Sequence, residues 1–121
     1  MAAMEYFNNG KLEDAEKVLK NLIFQDHTQP AFEFILAKVY WNKKDKNEAI
    51  NHAQKAATLD HSNIWYRLLE AEFLDQSGRI NEATQEYEQI VNDFPRVQEY
   101  WIKLSRLYQT QGKANDAVSL Y

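Results

Sequence analysis

Histidines and carboxylates are the side chains through which this sequence could do metal or acid–base chemistry. The chain has three histidines, His27, His52 and His61, and no cysteine, which excludes disulfides and cysteine–zinc sites. His27 and His61 fall at the ends of two predicted helices, where we expect them to contact terminal carbonyl groups. We expect His52, which lies among polar residues of an outer face, to be solvated.

No arrangement of these residues matches a catalytic or cofactor motif. The sequence contains no HExxH pair, Gly-rich phosphate loop or nucleophile elbow. Its carboxylates occur at ordinary helix spacing on predicted solvent faces. His27 and His61 occupy equivalent positions of adjacent repeats, about 10 Å or more apart, so they are too distant to share one metal ion. We therefore predict no enzyme activity, no cofactor and no metal in this segment.

Residue types recur along the chain at a fixed spacing of 34 residues. This repeat determines which structural elements position the candidate residues. Three columns keep this spacing without an insertion: Ala15, Ala49, Ala83 and Ala117; Ala3, Ala37, Ala71 and Ser105; and Tyr6, Tyr40, Leu74 and Tyr108. Such columns are typical of a repeat array rather than a domain with one central core.

Each complete copy of the repeat predicts two helices separated by a short break. Apolar residues at helical spacing predict helices over 30–43 and 46–59 in the second copy, and over 64–77 and 79–92 in the third, which stops before Pro95. Glycine fills the break column at Gly10, Gly78 and Gly112, because it readily adopts the left-handed backbone found after helices. Lys44 is the exception, and we expect it to adopt the same turn with mild strain. The acidic residues four positions later should begin the second helices: Asp14, Glu48, Glu82 and Asp116.

These residues make the chain resemble the tetratricopeptide repeat family. The family signature W-x2-L-G-x2-Y is matched by the fourth copy from Trp101 to Tyr108, with Ser105 in place of glycine. The later A-x3-F and P elements are matched by Ala83-x3-Tyr87 and Pro95. The resemblance covers essentially the whole chain and concerns packing residues, so it is specific for the fold and unspecific for the function.

One copy departs from the signature in its first helix. The third copy has Arg67 and Glu70 where the family has Trp and Leu, and we expect Leu69 beside them to take over the packing.

The resemblance implies an all-α, right-handed superhelix, or solenoid, of antiparallel helix pairs. About three and a half repeats would form one domain over 1–121, with a partial repeat at 1–29, repeats at 30–63 and 64–97, and a partial repeat at 98–121. Because no polar capping helix is visible at either end, we expect a segment of a longer protein. Exposed apolar ends would favour end-to-end homo-oligomers.

The resemblance also implies a function, because the first helices of tetratricopeptide repeats line a concave groove. The family's groove positions correspond here to Phe34, Lys38, Trp41, Asn42, Trp65, Leu68, Glu72, Asp75, Ile102, Lys103 and Arg106. The packing columns do not need these residues, and large apolar anchors within a polar rim are typical of partner-binding surfaces. The resemblance therefore implies a groove that binds a protein or peptide, with the basic residues taking acidic side chains.

Composition and charge limit the alternatives. The chain has 14 basic and 18 acidic residues, a net charge of −4 and no basic stripe, so we expect no nucleic-acid partner. No apolar run is long enough for a membrane span, so we expect no membrane insertion in this segment. The compartment stays open between cytoplasm and periplasm.

Three other functions remain open. The segment could be a structural or self-association module of a larger protein, which light scattering across a concentration series would reveal. It could present substrate to an enzyme that lies outside this segment. It could also grip the carboxylate tail of a chaperone, although only Lys103 and Arg106 of the last copy fit that clamp.

Overall fold

The computed structural model describes residues 11–112, which form six α-helices joined by short turns. The helices are α1 (Leu12–Gln25), α2 (Pro30–Asn42), α3 (Lys46–Leu59), α4 (Ile64–Gln76), α5 (Ile80–Asp93) and α6 (Gln98–Thr110). The four predicted helices of the second and third copies are confirmed, with boundaries that differ by at most one residue. Within the described residues there is no strand, and the all-α fold class is confirmed. The predictions for Ala3, Tyr6, Gly10, Asp116 and Ala117 lie outside the described residues.

The chain divides into two compact units within α4, the first ending at Glu70 and the second beginning at Ala71. In the first unit, α1 packs on α2 and α2 packs on α3; in the second, α5 packs on α6. Contacts between neighbouring helices are what a repeat array provides, because each repeat touches only the next one. The repeat boundaries, the single domain and the end-to-end association stay predictions.

The small-residue columns form the centre of the core. Ala15, Ala49 and Ala83 of the second helices are fully buried, as are Ala37 and Ala71 of the first helices. The large column residues fill the remaining interior and are also buried: Leu19, Tyr40, Leu74, Tyr87 and Tyr108. Small side chains let packed helices approach at the short end of the usual 8–10 Å range. The packing predicted from the spacing of 34 is therefore confirmed where the structure describes it.

The break column adopts one backbone conformation in all three described copies. Lys44 has a φ of 69°, close to the 80° of Gly78 and the 75° of Gly112. A side chain at either glycine would meet no atom within 4 Å, so its cost would be backbone strain and not a clash. Lys44 therefore carries the strain expected from the sequence.

The structure corrects the expectation for Leu69. Leu69 is only half-buried, whereas Arg67 and Glu70 are themselves buried in the first helix of the third copy. The charged side chains thus keep the signature positions, and Leu69 does not replace them.

The prediction that His52 is solvated is wrong. Its side chain is 12% exposed, and its Nδ1 lies 2.5 Å from a carboxylate oxygen of Glu33, which is 6% exposed. The His52 ring also stacks on the Tyr40 ring, with 5.3 Å between centroids and 13° between planes. Glu33 occupies the same repeat column as Arg67 and Trp101, so a buried Glu–His contact takes the place of the signature tryptophan in this copy.

Glu16 of α1 is held by a cluster of donors at the end of α2. It binds the Lys43 ammonium, accepts a hydrogen bond from the Tyr40 hydroxyl at 3.3 Å, and pairs with Lys20 at 2.9 Å. The Lys43 ammonium, and then that of Lys20, lower the pKa of Glu16 from 4.5 to about 2. Because this carboxyl is mostly buried, its charged form stabilises the contact between α1 and α2.

The free energy of unfolding should decrease in acid as the Glu16 carboxylate becomes protonated. Since the folded pKa lies below the unfolded value, the stabilisation is complete above pH 4.5 and is lost as the pH falls toward about 2. We expect Glu16→Gln to lower the free energy of unfolding by about 1 kcal/mol at neutral pH. This figure is kept small because solvent reaches the partners of Glu16 and screens the contact. Urea unfolding across this pH range would show the difference from wild type shrinking in acid. Glu82→Gln, which breaks only the exposed pair with Arg79, serves as the control and should change little at any pH. A Glu16→Gln deficit that persists in acid would contradict this account.

Candidate partner-binding face

The predicted groove residues of α2 lie on a different face from its core residues. Leu36, Ala37 and Tyr40 are buried. Phe34, Lys38, Trp41 and Asn42 recur at helical spacing on the other side and retain partial or full exposure. Together with Trp65 and Leu68 of α4, these four α2 residues are called the first-unit face.

Aromatic rings and a lysine gather at one end of the first-unit face. Phe34 of α2 packs on Tyr66 of α4, with 5.0 Å between ring centroids and 53° between planes. The Lys38 ammonium lies 4.3 Å from the centroid of the Phe34 ring, within the range of a cation–π contact. This arrangement leaves a half-buried aromatic surface with a positive charge at its edge.

The two tryptophans of the first-unit face differ in their surroundings. Trp41 is half-buried, and the Lys46 ammonium lies 5.7 Å from its ring. Trp65 is 67% exposed in the first turn of α4, where its backbone N–H donates to the Asn63 side chain at 3.0 Å. That capping contact fixes the helix start and leaves the indole of Trp65 open to solvent.

The predicted residues of the second unit form a mixed-charge surface: Glu72, Asp75, Ile102, Lys103 and Arg106, called the second-unit face. Lys103 lies 3.3 Å from the Asp75 carboxylate and 3.6 Å from that of Glu72. Ile102 is 41% exposed and Arg106 is exposed. Lys103 is thus paired with two carboxylates of its own chain, and its part in a groove stays a prediction.

These carboxylates also affect a buried tyrosine of α5. Burial, followed by the negative charges of Glu72 and Asp75, raises the pKa of Tyr87 well above its usual range. Tyr87 therefore stays neutral under all ordinary conditions and serves as a packing residue, as its column position indicates.

The sequence prediction omitted two residues of the first-unit surroundings, Tyr66 and Lys46. A signal for Tyr66 exists, because Phe32, Tyr66 and Tyr100 form an aromatic column at the repeat spacing. Lys46 begins a second helix, and no periodic pattern marks its reach toward Trp41. Both side chains contact residues of the first-unit face.

Two clefts lie apart from these faces. One of about 450 Å³ in the first unit is bordered by Ile23, His27 and Leu59, and one of about 220 Å³ in the second unit by Val91 and Trp101. None of the predicted groove residues lines either cleft.

Residues 11–112 contain no group of three or more side chains able to hold a metal ion. Over the same residues, every helix is too short or too polar to traverse a lipid bilayer.

Comparison with known proteins gives one family and many structures. Residues 2–120 match the family model ChAPs, the Chs5p-Arf1p-binding proteins. No curated protein matches the sequence. A crystal structure of MamA protein is similar with a TM-score of 0.83 and 22% identity; the match covers 98% of this chain and 64% of MamA.

Two further structures carry peptides. The first tetratricopeptide domain of Spaghetti (RPAP3), bound to the HSP90 peptide SRMEEVD, gives a TM-score of 0.77 at 20% identity over 92% of this chain and 90% of that one. The second such domain of human RPAP3, with the HSP70 peptide SGPTIEEVD, gives 0.75 at 23% identity over 88% of each chain. The likeness at this identity shows the fold, and the tetratricopeptide repeat resemblance is confirmed.

Proposed function

The chain belongs to the family of Chs5p-Arf1p-binding proteins, and on that premise we propose that it binds a segment of a partner protein through the first helices of its repeats. Tetratricopeptide neighbours that hold peptides support a protein-interaction module. The groove residues of α2, α4 and α6 are the proposed contacts.

The exposure of Trp65 is the observation that carries this proposal. A tryptophan that is 67% exposed on a helix whose core columns are already filled costs solubility and adds nothing to repeat packing. Trp41 and Phe34 on the neighbouring helix add half-buried aromatic area on the same face of the first unit. Tryptophan and tyrosine dominate the residues that contribute most to protein–protein binding energy, because they bury large rigid surfaces at low entropic cost.

The family name indicates which partners to test first. Members of the family are described as binding Chs5p and Arf1p, so we propose that the segment contributes to binding one of these proteins. The chaperone-tail mode of the peptide-bound neighbours fits this chain poorly. Phe34 and Leu68 replace the polar clamp residues in two copies, and Lys103 is occupied by Glu72 and Asp75.

Replacing both tryptophans should weaken partner binding strongly. If each contributes as a central anchor, Trp41→Ala with Trp65→Ala should lower the affinity for Chs5p or Arf1p by about 100-fold or more. Calorimetric titration with each purified partner measures the change. Helical content followed by circular dichroism should stay intact, because neither residue belongs to the packing columns.

The matched control is Phe24→Ala. Phe24 is 89% exposed on α1 and lies outside both predicted faces, so its replacement removes a more exposed aromatic side chain. We expect wild-type affinity for this variant. Binding that survives the double tryptophan change but fails with Phe24→Ala would refute the proposed groove and place the contact at α1.

A further inference from the structure

Three lysines that the repeat packing does not use lie in α2, in the turn after it and at the start of α3: Lys38, Lys44 and Lys46. We propose that Lys38, Lys44 and Lys46, together with Trp41, form a subsite that binds acidic side chains of the partner segment. These four residues are called the lysine–tryptophan patch. The inference rests on the proposed function, because the patch borders the same face of the first unit.

The backbone at Lys44 adopts a conformation that favours glycine. Lys44 has a φ of 69° in a column that holds glycine at the other described copies, Gly78 and Gly112. Glycine would relieve the strain, and a Cβ at either glycine of this column would meet no atom within 4 Å. Non-glycine residues held in the left-handed region cluster at functional sites, where the side chain is needed.

The patch lysines differ in their contacts from the lysines that pair with carboxylates. Lys20, Lys43 and Lys103 each lie within ion-pair distance of a carboxylate. Lys38 and Lys46 instead lie over the rings of Phe34 and Trp41, at 4.3 and 5.7 Å. Over residues 11–112, none of the three patch lysines forms an ion pair.

Few acidic residues lie along the chain near the patch lysines. The one acid within the turn is Asp45, and its side chain accepts a hydrogen bond from the Glu48 backbone N–H at 3.3 Å, where it caps α3. Glu48, in the first turn of α3, lies 3.5 Å from His52. Three lysines against these two carboxylates leave the patch with a net positive charge, although the whole chain carries −4. Charges beside an aromatic surface act in a lowered dielectric, so an incoming carboxylate would be attracted more strongly than in open water.

The chemistry of the surface favours a polypeptide over other anions. Phe34, Tyr66 and Trp41 offer apolar area for a side chain of the same segment. Three ammonium groups without an arginine provide few contacts for a phosphate backbone, and the overall negative charge opposes nucleic acid. The occupant is thus an acidic segment with at least one large apolar residue.

Selection from a random dodecapeptide library tests this inference without a known ligand. Wild-type protein should enrich peptides that carry Asp or Glu beside an apolar residue. The patch variant, with Lys38→Gln, Lys44→Gly and Lys46→Gln, should lose that acidic preference. An enriched peptide should bind the patch variant about 10-fold or more weakly than it binds the wild-type protein. Replacing the acidic residues of that peptide by the corresponding amides should change its affinity for the patch variant little.

Two controls separate charge from stability. The variant Lys17→Gln, Lys55→Gln and Arg96→Gln removes the same number of exposed positive charges elsewhere and should keep the acidic preference. Lys44→Gly alone should raise Tm by about 2–5 °C while weakening the acidic peptide, so unfolding cannot explain the loss.

The outcomes are distinct. Enrichment of peptides without an acidic excess, or an acidic preference that survives in the patch variant, would overturn the inference and leave the proposed function standing. Enrichment of no peptide at all would overturn both. Patch-dependent binding to vesicles of anionic lipid or to single-stranded RNA, with peptides unaffected, would also overturn the inference.

Discussion

Replacement of His52 by alanine is expected to lower the free energy of unfolding by about 3 kcal/mol, because it removes the partner of a buried carboxylate. Glu33 is 6% exposed, and its Oε2 lies 2.5 Å from the His52 ring. Without the imidazole the carboxylate loses its partner while only 6% of the side chain is exposed to water. The stacked contact with Tyr40 is lost at the same time. Urea unfolding followed by circular dichroism measures the change.

Two further variants isolate the cause. His61→Ala removes an exposed histidine just after the end of α3, the helix that carries His52, and should change stability by no more than about 0.5 kcal/mol. Adding Glu33→Gln to His52→Ala should recover about 1 kcal/mol or more, since a neutral amide costs less to bury than a carboxylate. A loss below about 1 kcal/mol for His52→Ala would mean that water reaches Glu33 and that the pair is not buried.

The same pair shows where sequence reasoning stops. The column that contains Glu33 also contains Arg67 and Trp101, so charged residues in a signature core position were visible in the sequence. What the sequence does not specify is the partner. His52 lies 19 positions from Glu33 on another helix, and only the rotamers of both side chains bring the two groups together.

The packing itself was predictable because it depends on size and spacing alone. The column alanines Ala37, Ala49, Ala71 and Ala83 are all buried, and the boundaries of the described helices follow the same register. The break column was predictable for a similar reason, since Lys44 must follow the backbone of Gly78 and Gly112. Local geometry repeats, so one copy predicts the next.

The electrostatics of the candidate face were less predictable. The sequence places Lys103, Glu72 and Asp75 on first helices as separate groove charges, and the structure joins them into one compensated group. Long flexible side chains choose partners by reach and not by spacing. On the first-unit face, by contrast, Lys38 lies over the Phe34 ring and not beside a carboxylate, which a count of groove charges cannot reveal.

Enlarging a column alanine should show that space between the helices is what the small residues provide. Ala49 of α3 is fully buried where α3 packs on α2, so we expect Ala49→Leu to cost about 3 kcal/mol. Leucine and alanine have similar helix propensities, so the loss cannot come from the helix itself. Urea unfolding of both variants makes the comparison, with Ala31→Leu on the exposed first turn of α2 as the control.

The opposite change separates lack of space from helix propensity. Ala49→Gly keeps the helices close but weakens α3, at a cost of about 1 kcal/mol. If close approach governs this position, leucine must be worse than glycine, although leucine is the far better helix former. A leucine variant as stable as Ala31→Leu would show instead that α3 can move away from α2. The repeat would then tolerate a wider spacing, and the alanine columns would not be what sets the distance between its helices.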